Sequence, residues 1–200
     1  MNESRVVFRG LVRGWWIVLL ALAVALAVAW WLTGRETPVY SAEAFLVVTP
    51  SSEVETNEEL LDAIEALERR TVVATFARLP RAPATKLRAA ERLGLEPREV
   101  RSYWVGGSVV PSTNVVRIEV QGPEAARAAE LANAVAAATR REARRLYRIY
   151  SLREMAAAEP PRRPVRPDLR RNLAVAAVLG LFVGLVVAVG AELARGMARG

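Results

Sequence analysis

The side chains that could do chemistry in this 200-residue chain are almost entirely carboxylates and guanidinium groups. The sequence contains no His and no Cys, and 28 Lys and Arg face 21 Asp and Glu, for a net charge of +7. These absences remove the commonest general base, the commonest metal ligand, the thiol nucleophile and every disulfide. The sequence therefore excludes zinc enzymes and Ser-His-Asp hydrolases. We predict no cofactor, no metal site and no catalytic residue, and we expect that the protein is not an enzyme.

Residues Thr56–Glu59 form a capping-box pattern, which indicates the start of a helix that carries a group of carboxylates. Its apolar residues recur at helical spacing, so the acids share the outer face. Paired carboxylates can perform acid–base catalysis. With no His, metal cluster or Gly-rich loop nearby, a solvated helix face is the favoured interpretation. This acidic face consists of Glu58, Glu59, Asp62, Glu65 and Glu68.

A basic face is predicted on a second, Ala-rich helix, which we expect to start at Pro123 and to run to about residue 149. Arg140, Arg144 and Arg148 are four residues apart, and Arg141 and Arg145 form a parallel row. The face could be simply exposed, or it could bind an acidic glycan, lipid headgroups or the acidic face of a neighbouring subunit. We favour the neighbouring subunit, because one chain supplies both faces, and we expect no nucleic acid.

Two runs without any charged residue, 15–32 and 173–191, are each just long enough to cross a bilayer as a helix. Tryptophan pairs stand at both ends of the first run, as in interfacial aromatic belts. At 18 residues it exceeds the usual apolar region of a signal peptide, which favours an uncleaved anchor. The second run carries Gly180 and Gly184, a GxxxG pair that predicts a close helix contact.

The charges flanking the two runs set the predicted orientation. Arg5, Arg9 and Arg13 favour a cytoplasmic N-terminus, whereas arginines before the second run argue the opposite way. Since the first helix usually dominates, we predict that both tails are cytoplasmic. The predicted parts are the tails 1–14 and 192–200, transmembrane helices 15–32 and 173–191, an extracytoplasmic α+β domain at 33–158, and a Pro/Arg-rich connector at 159–172.

The residues between the two runs predict the order β-α-α-β-β-α-β. A strand at Tyr40–Pro50, a short helix from Pro83 with Gly94 as its C-cap, and a hairpin of residues 103–110 and 115–121 carry this prediction. We read Gly106 and Gly107 as a bulge or an edge strand. The chain from Tyr150 to Ala157 is expected to pair with the first strand. The spacing of Pro160, Pro161, Pro164 and Pro167 favours a stiff polyproline II connector.

The order of these features resembles the Wzz-type chain-length determinants, also called polysaccharide co-polymerases. Three segments carry the resemblance: Tyr40-Ser-Ala-Glu-Ala44 after the first span, the strand Thr113–Val120 leading through Gly-Pro-Glu to Asn133, and Ala158–Pro167 before a Gly-containing final span. No single motif is specific for this family, but the order and spacing of the motifs over nearly the whole chain are specific for it.

The resemblance implies a non-enzymatic regulator of surface polysaccharide chain length and export in the bacterial plasma membrane. It implies a homo-oligomer beside a polymerase and a lipid-linked glycan, of the compact capsule or exopolysaccharide type; O-antigen is another polymer class served by the family. One alternative is an adaptor for a cytoplasmic tyrosine kinase, although the tail 192–200 is short for that role. A second is an unrelated two-span sensor, and an enzyme acting through Glu alone is a distant third.

Overall fold

The structure, a computed structural model, describes residues 3–51 and 71–197, with the side chains of 15–51, 71–96 and 98–194. The predicted acidic face of Glu58, Glu59, Asp62, Glu65 and Glu68 lies outside these described residues. The chain divides into two compact units. The terminal unit joins residues 1–37 to 167–200, and the central unit is residues 38–166.

The terminal unit contains two long apolar helices, α1 (Glu3–Thr33) and, at the end of the chain, α6 (Leu169–Met197). Their segments Trp15–Thr33 and Leu169–Ala194 are long and apolar enough to cross a membrane, by length and composition. Large apolar side chains on their outer faces are exposed, and Trp30 and Phe182 are each 66% exposed. Soluble globular proteins bury most side chains of this kind. These exposed surfaces are therefore suited to an apolar environment.

The central unit is built on an antiparallel four-stranded sheet in the order β2-β3-β1-β4. Its strands are β1 (Tyr40–Pro50), β2 (Trp104–Val109), β3 (Val115–Gly122) and β4 (Tyr150–Ala156). The predicted hairpin is confirmed as β2–β3, with Val109 opposite Val116. The predicted pairing of the first strand with the extended segment from Tyr150 is also confirmed, because Pro50 lies opposite Tyr150.

One face of the sheet forms the core with helix α5 (Ala125–Leu146). Side chains in β1 and β3 alternate between buried and half-buried, as a sheet with one covered face requires. Alanines dominate the buried face of α5, and their small side chains let the helix backbone lie close to the sheet. Leu131 and Val135 supply the larger apolar contacts.

Short helices cover the rest of the core: α2 (Thr71–Phe76), a 3₁₀ turn (Leu79–Arg81), α3 (Pro83–Arg92) and α4 (Pro97–Arg101). The prediction that Pro83 opens a helix and Gly94 ends it is confirmed. Gly94 has φ +66°, and the Leu95 amide donates to the Ala90 carbonyl. A left-handed residue just past a helix end favours glycine, since it has no Cβ.

Two details predicted for α5 are wrong. The helix begins at Ala125 with Glu124 as its N-cap, so Pro123 lies outside it. It ends at Leu146, so Arg148 is not on the helix and cannot extend a helical row from Arg140. The reason is the sheet: Tyr150 must pair with Pro50, and the Ser51 amide donates to the Ile149 carbonyl at 2.9 Å. The chain leaves the helix early enough to reach that register.

Candidate functional site

Gly180 and Gly184 lie where α6 packs against α1. A Cβ built on Gly180 would be 2.8 Å from Ala25 Cβ, and one on Gly184 would be 2.8 Å from Val18 Cα. Both distances are shorter than van der Waals contact, so only glycine lets the two backbones approach this closely. Ala188, one turn further on, is also buried and continues the stripe of small residues.

A polar pair also joins the same two helices. The Asn172 side-chain amide donates to Thr33 Oγ1 at 3.0 Å, and Thr33 is 5% exposed. Thr33 is the last residue of α1, whereas Asn172 lies in the first turn of α6. The two helices are therefore antiparallel neighbours, joined by a hydrogen bond at one end and by close backbone contact along the glycines.

The two ends of the central unit lie side by side. The Val39 amide donates to the Arg166 carbonyl at 3.0 Å, and the Val165 amide donates to the Val39 carbonyl at 2.7 Å. The predicted connector is thus hydrogen-bonded just before its last proline. Its prolines are exposed or half-buried: Pro160, Pro161, Pro164 and Pro167. The chain bends at residues 162, 163 and 165, so the predicted stiff polyproline II connector is wrong over these residues.

Asn133 on α5 holds the start of this connector. Its side-chain amide donates to the Ala158 carbonyl at 3.0 Å, and its carbonyl Oδ1 accepts from the Ala158 amide at 2.7 Å. Ala158 is buried, so both of its backbone groups need partners. Asn133 belongs to one of the motifs that carry the family resemblance, and the structure gives that asparagine a physical role.

The arginines of the predicted basic face have different surroundings. Arg140 forms an ion pair with Glu154 of β4 at 3.3 Å, and Arg141 Nε donates to the Ala137 carbonyl of its own helix. Arg144 and Arg145 are exposed in the last turn of α5, where cations favour the helix dipole. Arg148 is exposed in the turn that follows.

A polar groove between α3 and α5 was missed by sequence reasoning. Its volume is about 620 Å³, and Arg88 of α3 forms an ion pair with Glu142 of α5 inside it. The groove collects four cations and two carboxylates: Arg88, Glu91, Arg92, Arg141, Glu142 and Arg145. The only available signal was the spacing of Arg88, Glu91 and Arg92 along one helix face. It could not have shown that this face meets α5.

Lys86 and Tyr103 join α3 to the start of β2. The Lys86 ammonium donates to the Tyr103 carbonyl at 2.6 Å, and burial lowers the pKa of Lys86. Burial, with a smaller contribution from the carboxylates Glu124 and Glu99, raises the pKa of the Tyr103 phenol. The Tyr103 ring lies over Gly122, where a Cβ would be 2.1 Å from Cδ1. The Lys86 hydrogen bond and the Tyr103 ring thus fix the start of β2 against α3 and β3.

The comparison with solved structures gives a match along nearly the whole chain. The fold is similar to that of a full-length bacterial polysaccharide co-polymerase, with a TM-score of 0.54 at 13% sequence identity. The two chains share a fold. The match covers 94% of this chain and 97% of the other. No protein-family model and no curated protein sequence matches this chain.

Proposed function

We propose that this protein is a membrane-anchored, non-enzymatic regulator of the chain length of a bacterial surface polysaccharide, of the compact capsule or exopolysaccharide type. One observation carries the proposal: the shared fold with a polysaccharide co-polymerase extends over 94% of the chain. The similarity therefore includes the apolar helices at both ends as well as the sheet and helices between them. The motif order noted in the sequence supports the same function independently of the fold.

The exposed apolar surfaces of α1 and α6 support the membrane anchor. Helices that expose large apolar side chains on their outer faces are suited to lipid, where small residues at the contact let two helices approach. In this proposal the protein sits in the plasma membrane with both tails cytoplasmic and the central unit outside. As a homo-oligomer, it acts beside the polymerase that extends a lipid-linked glycan.

Deleting the gene in its host and separating the surface polysaccharide by size tests the function. We expect the modal chain length to change and a plasmid copy of the full chain to restore it. An unchanged size distribution in the deletion strain would contradict the proposal. A copy that ends at residue 191 tests the kinase-adaptor alternative, because a kinase adaptor would need the tail 192–200. We expect this shortened copy to restore chain length fully.

A further inference from the structure

A partly exposed tryptophan lies across the face of the sheet that α5 does not cover. Trp104, the first residue of edge strand β2, is 52% exposed. Its indole extends along the strand, and a Cβ built on Gly106 would be 2.2 Å from Trp104 Cη2. Glycine at position 106 therefore creates the room in which the indole lies. The sequence alone gave no reason for a glycine at this position of β2.

Hydrogen-bonding side chains stand beside the indole on the same face. In the strand register, Gln121 is opposite Trp104, and Glu119 is opposite Gly106. Glu119 Oε1 accepts hydrogen bonds from Ser41 Oγ at 2.8 Å and from the Gln121 amide at 2.7 Å. These bonds hold the three side chains in place. Within the described part of the chain they leave Glu119 Oε2 without a hydrogen bond.

The charges on this face nearly cancel. Arg117 lies 3.6 Å from Glu43 on the neighbouring strand, and its guanidinium stands 6.0 Å from the centre of the Phe45 ring. A surface with so little net charge is poorly suited to anionic lipid or nucleic acid, which bind to clusters of cations. The exposed Trp104 with the half-buried Phe45 and Val47 is also a small apolar area compared with the core of a protein interface.

We propose that Trp104, Ser41, Glu119 and Gln121 form a saccharide subsite that binds an uncharged pyranose unit of the polysaccharide. A pyranose has one face of C–H groups, which carry slight positive charge and are attracted to the negative face of an indole. The sugar hydroxyls would donate to the Glu119 carboxylate and bond to the Gln121 amide and the Ser41 hydroxyl. The subsite rests on the proposed function, since it names where this chain contacts the polymer.

Binding to purified full-length protein in detergent tests the subsite directly. The probe is the host's own surface polysaccharide, cut to oligosaccharides by mild acid and titrated by calorimetry. We expect Trp104→Ala to weaken binding about tenfold, which corresponds to the loss of about one aromatic contact. Trp104→Phe, which keeps a ring, should retain most of the affinity. Gly106→Ala should weaken binding with Trp104 still present, because the new Cβ would displace the indole.

Leu87→Ala is the matched control, since Leu87 is a similarly exposed apolar residue on α3. Thermal unfolding of each variant shows that it is folded. Wild-type binding by Trp104→Ala, equal weakening by Leu87→Ala, or no binding by the wild-type protein would overturn the subsite. If Trp104→Ala changes the size of the oligomer but binds saccharide as the wild type does, this face is a subunit contact. That result would also overturn the subsite.

Size analysis of the polysaccharide in the host separates the subsite from the proposed function. If deletion changes the chain length and the Trp104→Ala copy fails to restore it, both ideas are supported. If that copy restores chain length like the wild type, the subsite is wrong and the function stands. If deletion changes nothing, the proposed function fails, while the calorimetric result still decides whether the face binds saccharide.

Discussion

At the residue scale, the contacts of single side chains explain why certain residues occupy positions for which the sequence suggested no chemical role. Asn133 is the clearest case, because its side chain makes both hydrogen bonds of the buried Ala158 backbone. Gly122 is another, since it leaves space for the Tyr103 ring. Neither residue would be noticed in a search for catalytic groups. Each holds the chain in the path that brings the strands and the connector together.

Replacing Asn133 with Ala should therefore loosen the start of the connector. Two buried backbone groups lose their partners, and each loss costs about 1–3 kcal/mol of unfolding free energy. Hydrogen–deuterium exchange measured on the peptide containing Ala158 should become faster. Glu130→Ala on the same helix is the control, because Glu130 is exposed and, among the described residues, pairs only with Arg127 at the surface. Equal exchange rates in both variants would show that Asn133 does not hold Ala158.

At the scale of elements, α1 and α6 form one packed pair, and the glycines of α6 determine how closely they approach. Gly184 faces the backbone of Val18, which cannot move aside as a side chain can. Gly190, by contrast, has nothing within 4 Å of its built Cβ in the part of the chain that the structure describes. The same helix thus offers one glycine that packing requires and one that it does not.

Gly184→Val should destabilise the helix pair, whereas Gly190→Val should have little effect. Overpacking at a close contact costs about 1–3 kcal/mol. Thermal unfolding in detergent can be followed by tryptophan fluorescence, because four of the five tryptophans lie in α1. Trp104→Phe in both variants makes the signal specific to that helix. A melting temperature that falls equally in the two variants would contradict a specific contact at Gly184.

At the scale of the whole molecule, the predicted oligomer depends on exposed charge. Arg144 and Arg148 are exposed, and their expected partners on the acidic face lie outside the described residues. Arg140 pairs with Glu154 within the chain, which makes it less available to a neighbour. Since a surface ion pair contributes only about 0–1 kcal/mol, several pairs must act together.

Reversing both charges, as Arg144→Glu with Arg148→Glu, should shift the protein to smaller species in sedimentation velocity at low salt. Added salt should weaken the wild-type assembly in the same direction. The control is Arg98→Glu with Arg101→Glu, which changes the net charge equally on the exposed side of α4. If both double variants keep the wild-type assembly, pairing between basic and acidic faces is not what holds the subunits together.

The predicted orientation can be tested with single cysteines, because the natural chain has none. In intact cells, a membrane-impermeant maleimide should label Ser112→Cys in the exposed turn between β2 and β3, and should not label Ser4→Cys. Opening the cells should make both residues reactive. Labelling of Ser4→Cys in intact cells would place the N-terminus outside and reverse the predicted topology.

Much of the architecture follows from local patterns. The apolar runs predicted the two terminal helices, alternation predicted the strands, and Pro83 and Gly94 predicted the limits of a helix. Such signals are local because a helix or a turn is decided by residues only a few positions apart. The early end of α5 was not predicted, because the register of β4 against β1 ends it and the sequence of the helix does not.

By itself, the sequence determined the class of the molecule: two apolar segments, an α+β unit between them, and no His or Cys chemistry. The tertiary structure decided which side chains meet. Arg88 reaches Glu142, Asn133 reaches Ala158, and Ser41 reaches Glu119 of another strand. These partners are tens of residues apart, and only strand register and helix packing bring them together. A single sequence carries no local signal for which partners will meet, since every exposed charge or amide has many equivalent candidate partners along the chain.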